Sequence, residues 1–528
     1  MSLNFSSVLE PPSLGSGLLL NKGTLILLLA GVAALLVGLD KLLTPSVSTS
    51  EPWLLKPSIP LVGHIINLLR FENDFHHKLY QQTGRPALTL QMLWGKLYVI
   101  LDHRLGSAAM RASEASFDEF GKAFGSYILG LSSDVMDRIN EDPAWFGNYN
   151  RVTSEALAPS RLRDVTSDAA DALARVVCEI DQESPLEVPN LYYWARELIT
   201  SATLEAIMGP HAIVTSTDRS LNNDIWDFEA GVASFVTHPF PQLTARKAWN
   251  GRARVIDAMK TYFDGGYDKS EARGLVKARS ALSRATFSAA EMPRIETGSI
   301  FPMVTNSGPM GFWFVYFIYS NPDVLARVRA ELEAATRLAR PDDGSSATVA
   351  SFNLSRVEDA CPLTSACFKE TVRLANNGVQ NRRMVADATL RDGDGRTYLF
   401  KKGTDLQIST GIGHRSREIW GDDALEFRPD RFLRPLTREQ KSAYQVWGGG
   451  AHLCPGRHFV LQEVVSMAAV LVVGFHVELT GPLRWEDVKM AQGTMGNNSC
   501  KPVNDAKGLQ ARVSRRAGWE KTTWAFEA

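Results

Sequence analysis

The segment WGGGAHLCPG, residues 447–456, runs directly into the apolar stretch RHFVLQEVVSMAAVLVVGF, residues 457–475. Three successive glycines and a Cys-Pro-Gly sequence predict a tight loop, because glycine tolerates positive φ and lets the backbone approach a bulky ligand. The apolar stretch predicts a helix. A cysteine at a helix start lies near unpaired N–H groups and the positive end of the helix dipole, which stabilise the metal-binding thiolate. Cys454 is therefore a candidate metal ligand, with a buried structural cysteine as the alternative.

This loop resembles the haem-binding loop of the cytochromes P450, F-x-x-G-x-[RH]-x-C-x-G. Its defined positions are filled by Trp447, Gly450, His452, Cys454 and Gly456. The resemblance implies haem b with Cys454 as the axial iron ligand, Trp447 as the ring that shields the sulfur, and His452 as a partner of a haem propionate. In that family the thiolate donates electron density to the iron and favours O–O cleavage. Tryptophan replaces the usual phenylalanine, which keeps a flat ring at that position.

Two upstream segments add to the resemblance. Glu370 and Arg373, in KETVR, are three residues apart and share a helix face, although such a pair is common on solvated helices. The segment FRPDRF, residues 427–432, supplies Arg431 at the position of the P-x-R-F arginine of the family. The resemblance implies a buried triad of Glu370, Arg373 and Arg431 that maintains the fold and the haem pocket, and it extends from near Ser50 to the C-terminus.

The segment SIFPMVTNSGPMGFWFVYFIYSNP, residues 299–322, corresponds in the family to the helix across the distal haem face. Counting back from Trp313, the usual threonine position falls on Asn306 and the usual acid position on Thr305, so these two are the candidate catalytic residues. Pro309 is predicted to lie inside this helix and to kink it. The pattern resembles the sterol 7α-hydroxylase and prostacyclin synthase branch, and also fungal P450s of specialised metabolism. That branch implies a monooxygenase or an electron-independent isomerase; an Asn306 that only satisfies a broken helix is a third interpretation.

The residues after KETVR, LANNGVQNRRM at 374–384, resemble the family segment that lines the substrate side of the haem. Arg383, or alternatively Arg382, is a candidate propionate partner. WFGNYNR at 145–151 lacks the W-x-x-x-R pair of many relatives, so no propionate contact is predicted there. The loop AQGTMGNN at 491–498 is a further pocket candidate, or else a surface loop. The candidate substrate contacts are Gly378, Val379, Gln380 and Asn381.

Composition places the chain among ordinary globular proteins with large cores: of its 528 residues, 45% are apolar and 22% are charged. Lys and Arg total 57 against 58 Asp and Glu, a net charge of -1, which argues against nucleic acid as a partner. The five cysteines are scattered, with no CxxC pair and no zinc spacing, and they predict a reducing compartment for the catalytic part.

An uncharged run, GTLILLLAGVAALLVGL at residues 23–39, precedes a proline-rich stretch. A membrane span needs ~20 apolar residues, and a lysine near its end can snorkel to the headgroups. The sequence therefore predicts a short N-terminal segment at 1–22, a transmembrane anchor at 23–43, a proline-rich hinge at 44–60 and a haem-thiolate catalytic domain at 61–528. A cleaved signal peptide is the alternative to the anchor. Flanking charge does not fix the orientation; the resemblance implies a single-pass protein of the endoplasmic reticulum with a cytosolic catalytic domain.

Beyond the hinge the chain is predicted to be mainly α with small β-sheets, the cytochrome P450 fold. Helical patterns lie at 161–181, 191–207 and 322–338, with an early hairpin around Gly95 and a later one at a Gly-Asp-Gly turn. These elements lack the regular strand–helix alternation of a doubly wound fold.

The resemblance implies a haem-thiolate monooxygenase that inserts one oxygen atom from O2 into a lipophilic terpenoid, sterol or polyketide in secondary metabolism. Electrons would come from NADPH through NADPH–cytochrome P450 reductase, and membrane lipid is a further implied partner. The alternative is a prostacyclin synthase-type isomerase or dehydratase of a peroxide. A non-catalytic haem sensor belongs to another class; it is disfavoured because Cys454 is the only evident axial ligand and the distal helix is retained.

Overall fold

The structure, a computed structural model of the 528-residue chain, describes residues 22–59, 61–238, 240–340, 347–491, 493, 497–503 and 508–528. The short segment predicted at residues 1–22 lies outside the described residues, except for Lys22. Of the predicted pocket loop, only residues 491, 493, 497 and 498 are described.

Helices make up most of the described chain, and several begin at a residue whose side chain caps the first turn. At the start of Leu191–Met208, for example, Asn190 Oδ1 accepts a hydrogen bond from the N–H of Tyr193, 3.1 Å away. In chain order the α-helices are α1 Lys22–Leu43, α2 Ile65–Phe71, α3 Asp74–Thr83, α4 His103–Arg111, α5 Phe117–Leu129, α6 Ser133–Glu141, α7 Trp145–Ala156, α8 Arg163–Cys178, α9 Leu191–Met208, α10 Asn222–Ala230, α11 Val232–Thr237, α12 Pro241–Thr244, α13 Arg246–Asp264, α14 Tyr267–Ser270, α15 Gly274–Thr286, α16 Met292–Val304, α17 Ser307–Tyr319, α18 Pro322–Ala335, α19 Val357–Ala360, α20 Pro362–Ala375, α21 Gly411–Arg415, α22 Arg417–Trp420, α23 Arg438–Ala443 and α24 Arg457–Gly474.

The strands are short and scattered among the helices. In chain order they are β1 Trp53–Leu55, β2 Ala87–Gln91, β3 Lys96–Ile100, β4 Ala115–Ser116, β5 Leu186–Val188, β6 Arg337–Ala339, β7 Thr348–Asn353, β8 Val379–Met384, β9 Ala388–Arg391, β10 Thr397–Phe400, β11 Asp405–Ser409, β12 Phe475–Leu479, β13 Ala511–Arg515 and β14 Thr522–Glu527. Short 3₁₀ turns lie at Pro159–Arg161, Leu354–Arg356, Pro429–Phe432, Gly450–His452 and Trp485–Asp487.

The largest sheet has the strand order β1-β2-β3-β11-β8-β4. β2 and β3 form the predicted hairpin, with Ala87 opposite Ile100, and Gly95 in the turn has a φ of 76°. β11 runs antiparallel to β8, the strand that carries the predicted substrate and propionate residues. β9 and β10 form the second predicted hairpin, and the small sheets β12-β13-β5 and β14-β7-β6 complete the β-structure.

The main core lies where α8, α9, α17, α18, α20 and α24 meet. The helices predicted at 161–181 and 191–207 correspond to α8 and α9, whereas the third ends at Ala335 and the chain continues into β6. Among the described residues, one helical stretch, Gly450–Gly474, which contains α24, is long and apolar enough to cross a membrane, but 72% of its apolar 18-residue window is buried inside the protein, as in a core helix. The prediction of a mainly α fold with small sheets is confirmed.

The first helix, α1, is 22 residues long, or ~33 Å at 1.5 Å per residue. Large apolar side chains on it are exposed, Leu27 to 73%. Its C-terminal end is tied to the rest of the protein. Asp40 Oδ1 accepts a hydrogen bond from the N–H of Leu61 at 3.0 Å, and the hydroxyl of Thr44 donates to Gln91 Oε1 at 3.4 Å.

The predicted hinge at 44–60 is only partly a linker. Trp53–Leu55 form β1 and pair in parallel with β2, and Glu51 is a buried carboxylate that accepts from Tyr98 and pairs with Lys96. The prolines of this stretch predicted an extended backbone. They did not predict its pairing with β2, because the partner residues 88–90 lie outside the stretch. The folded domain therefore begins near Glu51, before the predicted boundary at residue 61.

Candidate active site

The glycine loop before Cys454 is a tight turn. Gly448 and Gly450 have φ values of 75° and 65°, a conformation that residues with a Cβ rarely adopt. A Cβ at Gly450 would lie 2.0 Å from the carbonyl oxygen of Met110 in α4, so backbone packs against backbone there. The N–H of Cys454 donates to the carbonyl oxygen of Trp447, 2.8 Å away, and closes the loop.

Cys454 is half-buried and lies just before Arg457, the first residue of α24. Burial raises the pKa of its thiol, whereas the backbone N–H groups of Gly456 and Arg457, with the Arg457 charge, lower it. Among the described residues, no group of three or more His, Cys, Asp or Glu side chains could hold a metal ion. Cys454 would act as a single thiolate ligand, which is the kind of ligand that holds a haem iron in the haem-thiolate enzymes.

Arg382, on β8, is a buried cation with an incomplete set of partners. It is 1% exposed, and its Nε and Nη2 have no hydrogen-bond partner within the part of the chain that the structure describes. Its Nη1 donates to the carbonyl oxygen of Asn381 at 2.7 Å, and burial lowers the pKa of Arg382 to about 10. A buried guanidinium with unused N–H groups fits a carboxylate, which can accept two of them at once.

His452 lies on the same side of the loop as Arg382. The ring of Phe117 is 5.6 Å from the His452 ring and 5.7 Å from Arg382 Cζ. His452 Nδ1 is 3.8 Å from Asp118 Oδ1, which also accepts from Asn150 Nδ2 at 2.7 Å. Burial and the charge of Arg382 lower the pKa of His452, and Asp118 raises it. The structure thus brings the predicted His452 and Arg382 together.

Arg383, the first choice of propionate partner, is engaged elsewhere. Its guanidinium forms a two-pronged ion pair with Asp405 on β11, at 2.7 and 3.0 Å. Successive residues of a strand point to opposite faces. Arg382 therefore shares a face with Gln380, whose Oε1 would lie 3.2 Å from a Cβ at Gly448 of the cysteine loop. The geometry therefore favours Arg382, the alternative given by the sequence, over Arg383 as the candidate propionate partner.

Together these residues fit a haem group: a thiol at a helix start, a loop that only glycine can form, and a buried cation that lacks acceptors. The ring of Trp447 stacks on that of Phe368, with centroids 6.3 Å apart and an interplanar angle of 21°. Trp145 packs in a separate aromatic cluster with Tyr149 and Phe287, at centroid distances of 5.2 and 5.1 Å.

The predicted triad is assembled and buried. Glu370 and Arg373, on α20, form a two-pronged ion pair at 2.7 and 2.8 Å, and neither side chain is exposed. Arg431 Nε lies 3.3 Å from Glu370 Oε1. Removing one partner of a buried pair leaves an uncompensated charge and costs ~3–5 kcal/mol, so this triad is expected to be essential for stability.

The helix that carries the triad is also joined to the cysteine loop. Beyond its end, Asn376 Nδ2 donates to the carbonyl oxygen of Val446 at 3.2 Å, and the Asn376 carbonyl oxygen is 3.1 Å from His414 Nδ1. His414 Nε2 accepts from the N–H of Gln445 at 3.2 Å, and its carbonyl oxygen accepts from Arg373 at 2.5 Å. Burial lowers the pKa of His414 to about 3. The neutral ring can therefore donate at Nδ1 and accept at Nε2.

The distal segment is broken into α16 and α17, and Thr305 and Asn306 form the break. Pro309 was predicted to lie inside one continuous helix, but it lies in the first turn of α17. A residue with an N–H at position 309 would bond to the carbonyl oxygen of Thr305, four residues earlier. That oxygen accepts from Asn497 Nδ2 instead, at 2.5 Å. The break thus falls at Thr305, the residue whose carbonyl oxygen cannot bond to Pro309 because proline has no N–H.

The two predicted catalytic residues differ in their hydrogen bonds. The Thr305 hydroxyl is buried and has no hydrogen-bond partner among the described residues. Asn306 Oδ1 accepts from the N–H groups of Asn498 and Ser499, at 3.2 and 3.3 Å. The Asn306 side chain is thereby oriented through its oxygen, and its Nδ2 group is a candidate donor to a ligand.

Residues 497–499 also contact the start of β8. Asn498 Oδ1 accepts from the N–H of Val379 at 3.2 Å, and its carbonyl oxygen accepts from the N–H of Asn377 at 3.0 Å. A Cβ at Gly378 would lie 2.7 Å from Asn498 Cγ. One loop therefore joins the distal break to the first two predicted substrate contacts. The other two, further along β8, are Gln380 and Asn381.

Sequence reasoning missed Asp118, and it included Asn497 only as part of the candidate pocket loop 491–498, without a role of its own. Each acts through partners elsewhere in the chain: Asp118 through Asn150 and His452, and Asn497 through Thr305. The sequence did contain a signal that distinguishes Arg382 from Arg383. In a strand, neighbouring side chains point to opposite faces, so only one of the two can face the haem.

Comparison with known proteins agrees with this geometry. A sequence model of the family described as Cytochrome P450 matches residues 305–494. A cytochrome P450 monooxygenase of Gibberella zeae is 32% identical over 527 residues, which are 97% of this chain and 97% of the relative. Cytochrome P450 monooxygenase nodJ of Hypoxylon pulicicidum is 26% identical over 497 residues, 90% of this chain and 92% of the relative. Prostacyclin synthase of Bos taurus is 28% identical over 188 residues, 34% of this chain and 37% of the relative.

A mainly helical fold with a cysteine loop at the start of a core helix, a buried triad and a broken distal helix defines a haem-thiolate enzyme. The chain belongs to the cytochrome P450 family. The family and the enzyme class predicted from the sequence, a cytochrome P450 monooxygenase, are confirmed, and the similarity to prostacyclin synthase agrees with the predicted branch.

Proposed function

We propose that this protein inserts one oxygen atom from O2 into a lipophilic small molecule of the terpenoid, sterol or polyketide type, in secondary metabolism. The observation that carries the proposal is the Cys454 thiol at the start of α24 together with the buried, incompletely bonded Arg382. Two fungal relatives that are similar over nearly the whole chain, and that are named monooxygenases, support it further.

When bound, haem b supplies an iron centre that activates O2. Cys454 would hold the iron, and Arg382 and His452 would bind the propionates. On the distal side, the Thr305 hydroxyl and the Asn306 Nδ2 group would donate hydrogen bonds at the place where oxygen binds. The carbonyl oxygen of Thr305 and the Oδ1 of Asn306 are already bonded to the 497–499 segment, so these two donors would be held in place before a ligand arrives.

A reduced carbon monoxide difference spectrum tests the central claim. The wild-type protein is expected to show the red-shifted Soret band of a thiolate ligand, and Cys454→Ala to lose it. Cys178→Ala, which removes another half-buried thiol, is the matched control and should keep the band. A band that survives in Cys454→Ala would exclude this cysteine as the ligand.

Electrons for this reaction would come from NADPH through NADPH–cytochrome P450 reductase. Turnover with the purified reductase, NADPH and O2, and its loss when any one of the three is left out, tests this electron source. The two other proposed partners are the lipophilic substrate and membrane lipid.

We also propose that residues 23–43 anchor the protein in the endoplasmic reticulum membrane, with the catalytic domain in the cytosol. The exposed apolar side chains of α1 support this, because in water they would form a large unpartnered apolar surface. The hinge would then be the short stretch between α1 and Glu51.

A second candidate function is the electron-independent rearrangement of a peroxide, favoured by Asn306 at the threonine position and by the similarity to prostacyclin synthase. Incubation of the purified protein with a lipid hydroperoxide, without NADPH or reductase, separates the two. Stoichiometric rearrangement under those conditions, with no NADPH-dependent product, would replace the monooxygenase proposal.

A further inference from the structure

A buried ion pair outside the site described above joins α10 to the 497–503 segment. Glu229, on α10, is 2% exposed, and its Oε2 pairs with Lys501. Its other oxygen, Oε1, has no hydrogen-bond partner within the described ranges of the chain. A charged acceptor left unpaired in the interior is costly. A hydrogen-bond donor added at this position would satisfy the Oε1 atom of Glu229.

Trp226 joins this group to the distal helix. It lies one turn before Glu229 on α10, and a Cβ at Gly308 would be 2.9 Å from Trp226 Cζ2, so the indole packs on the first turn of α17. Lys501 Nζ is 5.8 Å from the Trp226 ring centroid, and Arg196 Cζ, from α9, is 4.7 Å from it. Trp226 thus connects the Glu229–Lys501 pair to the first turn of α17, which follows the break that contains the candidate catalytic residues.

Lys501 belongs to the segment that completes that break. Two residues earlier, the N–H of Ser499 donates to Asn306 Oδ1 at 3.3 Å, and Trp313 Nε1 donates to the carbonyl oxygen of Cys500 at 2.7 Å. These bonds fix the backbone on both sides of Cys500 against α17. The 497–503 segment therefore joins the distal break to the ion pair.

The charges near Trp226 and the Glu229–Lys501 pair decide what kind of group would bind. Glu229 and Glu72 are carboxylates, and Lys501 and Arg196 are cations; the charges of Lys501 and Glu229 both act on Glu72, whose pKa burial raises. Because these four carry no net formal charge, an added ion would be left uncompensated in the interior. A neutral hydroxyl, in contrast, can donate to Glu229 Oε1 and accept from the Lys501 ammonium.

We propose that Glu229 and Lys501 bind a hydroxyl group of the lipophilic substrate, so that the enzyme acts on an alcohol in preference to the same skeleton without a donor. The inference rests on the proposed function, because it concerns the substrate of that site. A site with a buried acceptor disfavours a ligand that cannot fill it. Loss of one such hydrogen bond is expected to weaken binding roughly tenfold or more.

The experiment uses the full-length, haem-loaded protein and pairs of an alcohol and its methyl ether, which cannot donate. The pairs are built on a decyl chain, a cyclic monoterpene and a 3-hydroxysteroid, so that no single skeleton decides the outcome. Binding is measured by the Soret shift and by calorimetry. In the wild type, at least one alcohol is expected to bind roughly tenfold more tightly than its ether.

The double variant Glu229→Leu/Lys501→Leu removes both charges together, so no unpaired charge stays buried, and it should bring this ratio close to one. Glu229→Gln is a milder second variant and should lower the ratio. Asp268→Leu/Arg284→Leu, which removes a pair of similar burial on α14 and α15, is the matched control and should leave the ratio unchanged.

Equal binding of alcohol and ether in every pair, no binding of any alcohol, or a preference that persists in both Glu229 variants would each overturn the inference. The carbon monoxide spectrum keeps this separate from the proposed function. A protein that shows the thiolate band but no preference for alcohols refutes only the hydroxyl site, whereas a protein without the band refutes the proposed function itself.

Discussion

Arg382 and Arg383 are neighbours in the chain, but β8 gives them different surroundings. Arg382→Gln is expected to weaken haem binding, because charge-assisted hydrogen bonds contribute ~1.5–3 kcal/mol each. Arg383→Gln breaks only a partly exposed ion pair with Asp405, which contributes ~0–1 kcal/mol. The rate of haem transfer to excess apomyoglobin measures how tightly each variant holds haem. It should become roughly tenfold faster in Arg382→Gln and stay unchanged in Arg383→Gln; equal rates in the two variants would remove Arg382 from the haem site.

His414 makes the stability of the protein depend on pH. Its pKa is about 3 in the folded protein, against ~6.5 for an unperturbed imidazole. Between these values the unfolded chain binds more protons, so the contribution of His414 is complete above pH ~6.5 and is lost as the pH falls, by at most ~1.4 kcal/mol per unit. His414→Gln can still donate to Asn376 and accept from Gln445. Urea unfolding between pH 7 and 5 should show a smaller pH slope for this variant; an unchanged slope would assign the acid sensitivity to other groups.

At the scale of elements, the helices and the cysteine loop could be predicted because their signals are local, whereas the triad was predicted from the family resemblance of two separate motifs. Apolar periodicity marks α8 and α9, and the run of glycines marks the loop. The exact break between α16 and α17 could not be predicted in the same way. Pro309 removes a hydrogen bond, but the break forms at Thr305 because Asn497 supplies the substitute donor, and that contact spans much of the chain. The pairing of β1 with β2 escaped prediction for the same reason.

Asn497 therefore joins the 497–503 segment to the break between α16 and α17, and a single substitution can remove this hydrogen bond. Asn497→Asp keeps the oxygen that accepts from the N–H of Ser499, but it loses the donor to the Thr305 carbonyl and places a carboxylate beside it. The expected cost is ~1–3 kcal/mol of unfolding free energy, with faster amide hydrogen exchange in residues 305–311. Asn353→Asp, at the end of β7, serves as the surface control. Unchanged exchange at 305–311 would show that the break does not depend on this bond.

At the scale of the whole molecule, three N-x-S sequences lie on the two sides of α1 in the chain: Asn4-Phe5-Ser6 before it, and Asn353-Leu354-Ser355 and Asn497-Asn498-Ser499 in the catalytic domain. N-glycosylation occurs only on the lumenal side. If α1 spans the membrane with the catalytic domain in the cytosol, only Asn4 can carry a glycan. A mass shift that endoglycosidase removes, and that disappears in Asn4→Gln but not in Asn353→Gln, is the expected result. A glycan on Asn353 would place the catalytic domain in the lumen.

The 497–503 segment bonds to the distal break, to the start of β8 and, through Lys501, to α10. The distal break, the start of β8 and α10 are therefore all joined to one short stretch of backbone. For the evolution of new substrate preferences this predicts strong epistasis. A substitution in one of the three elements is expected to move the backbone that the other two also bind, so useful substitutions should occur in compensating pairs. Saturation of single positions would then sample little of what this scaffold can become, and paired libraries that include the segment would sample more.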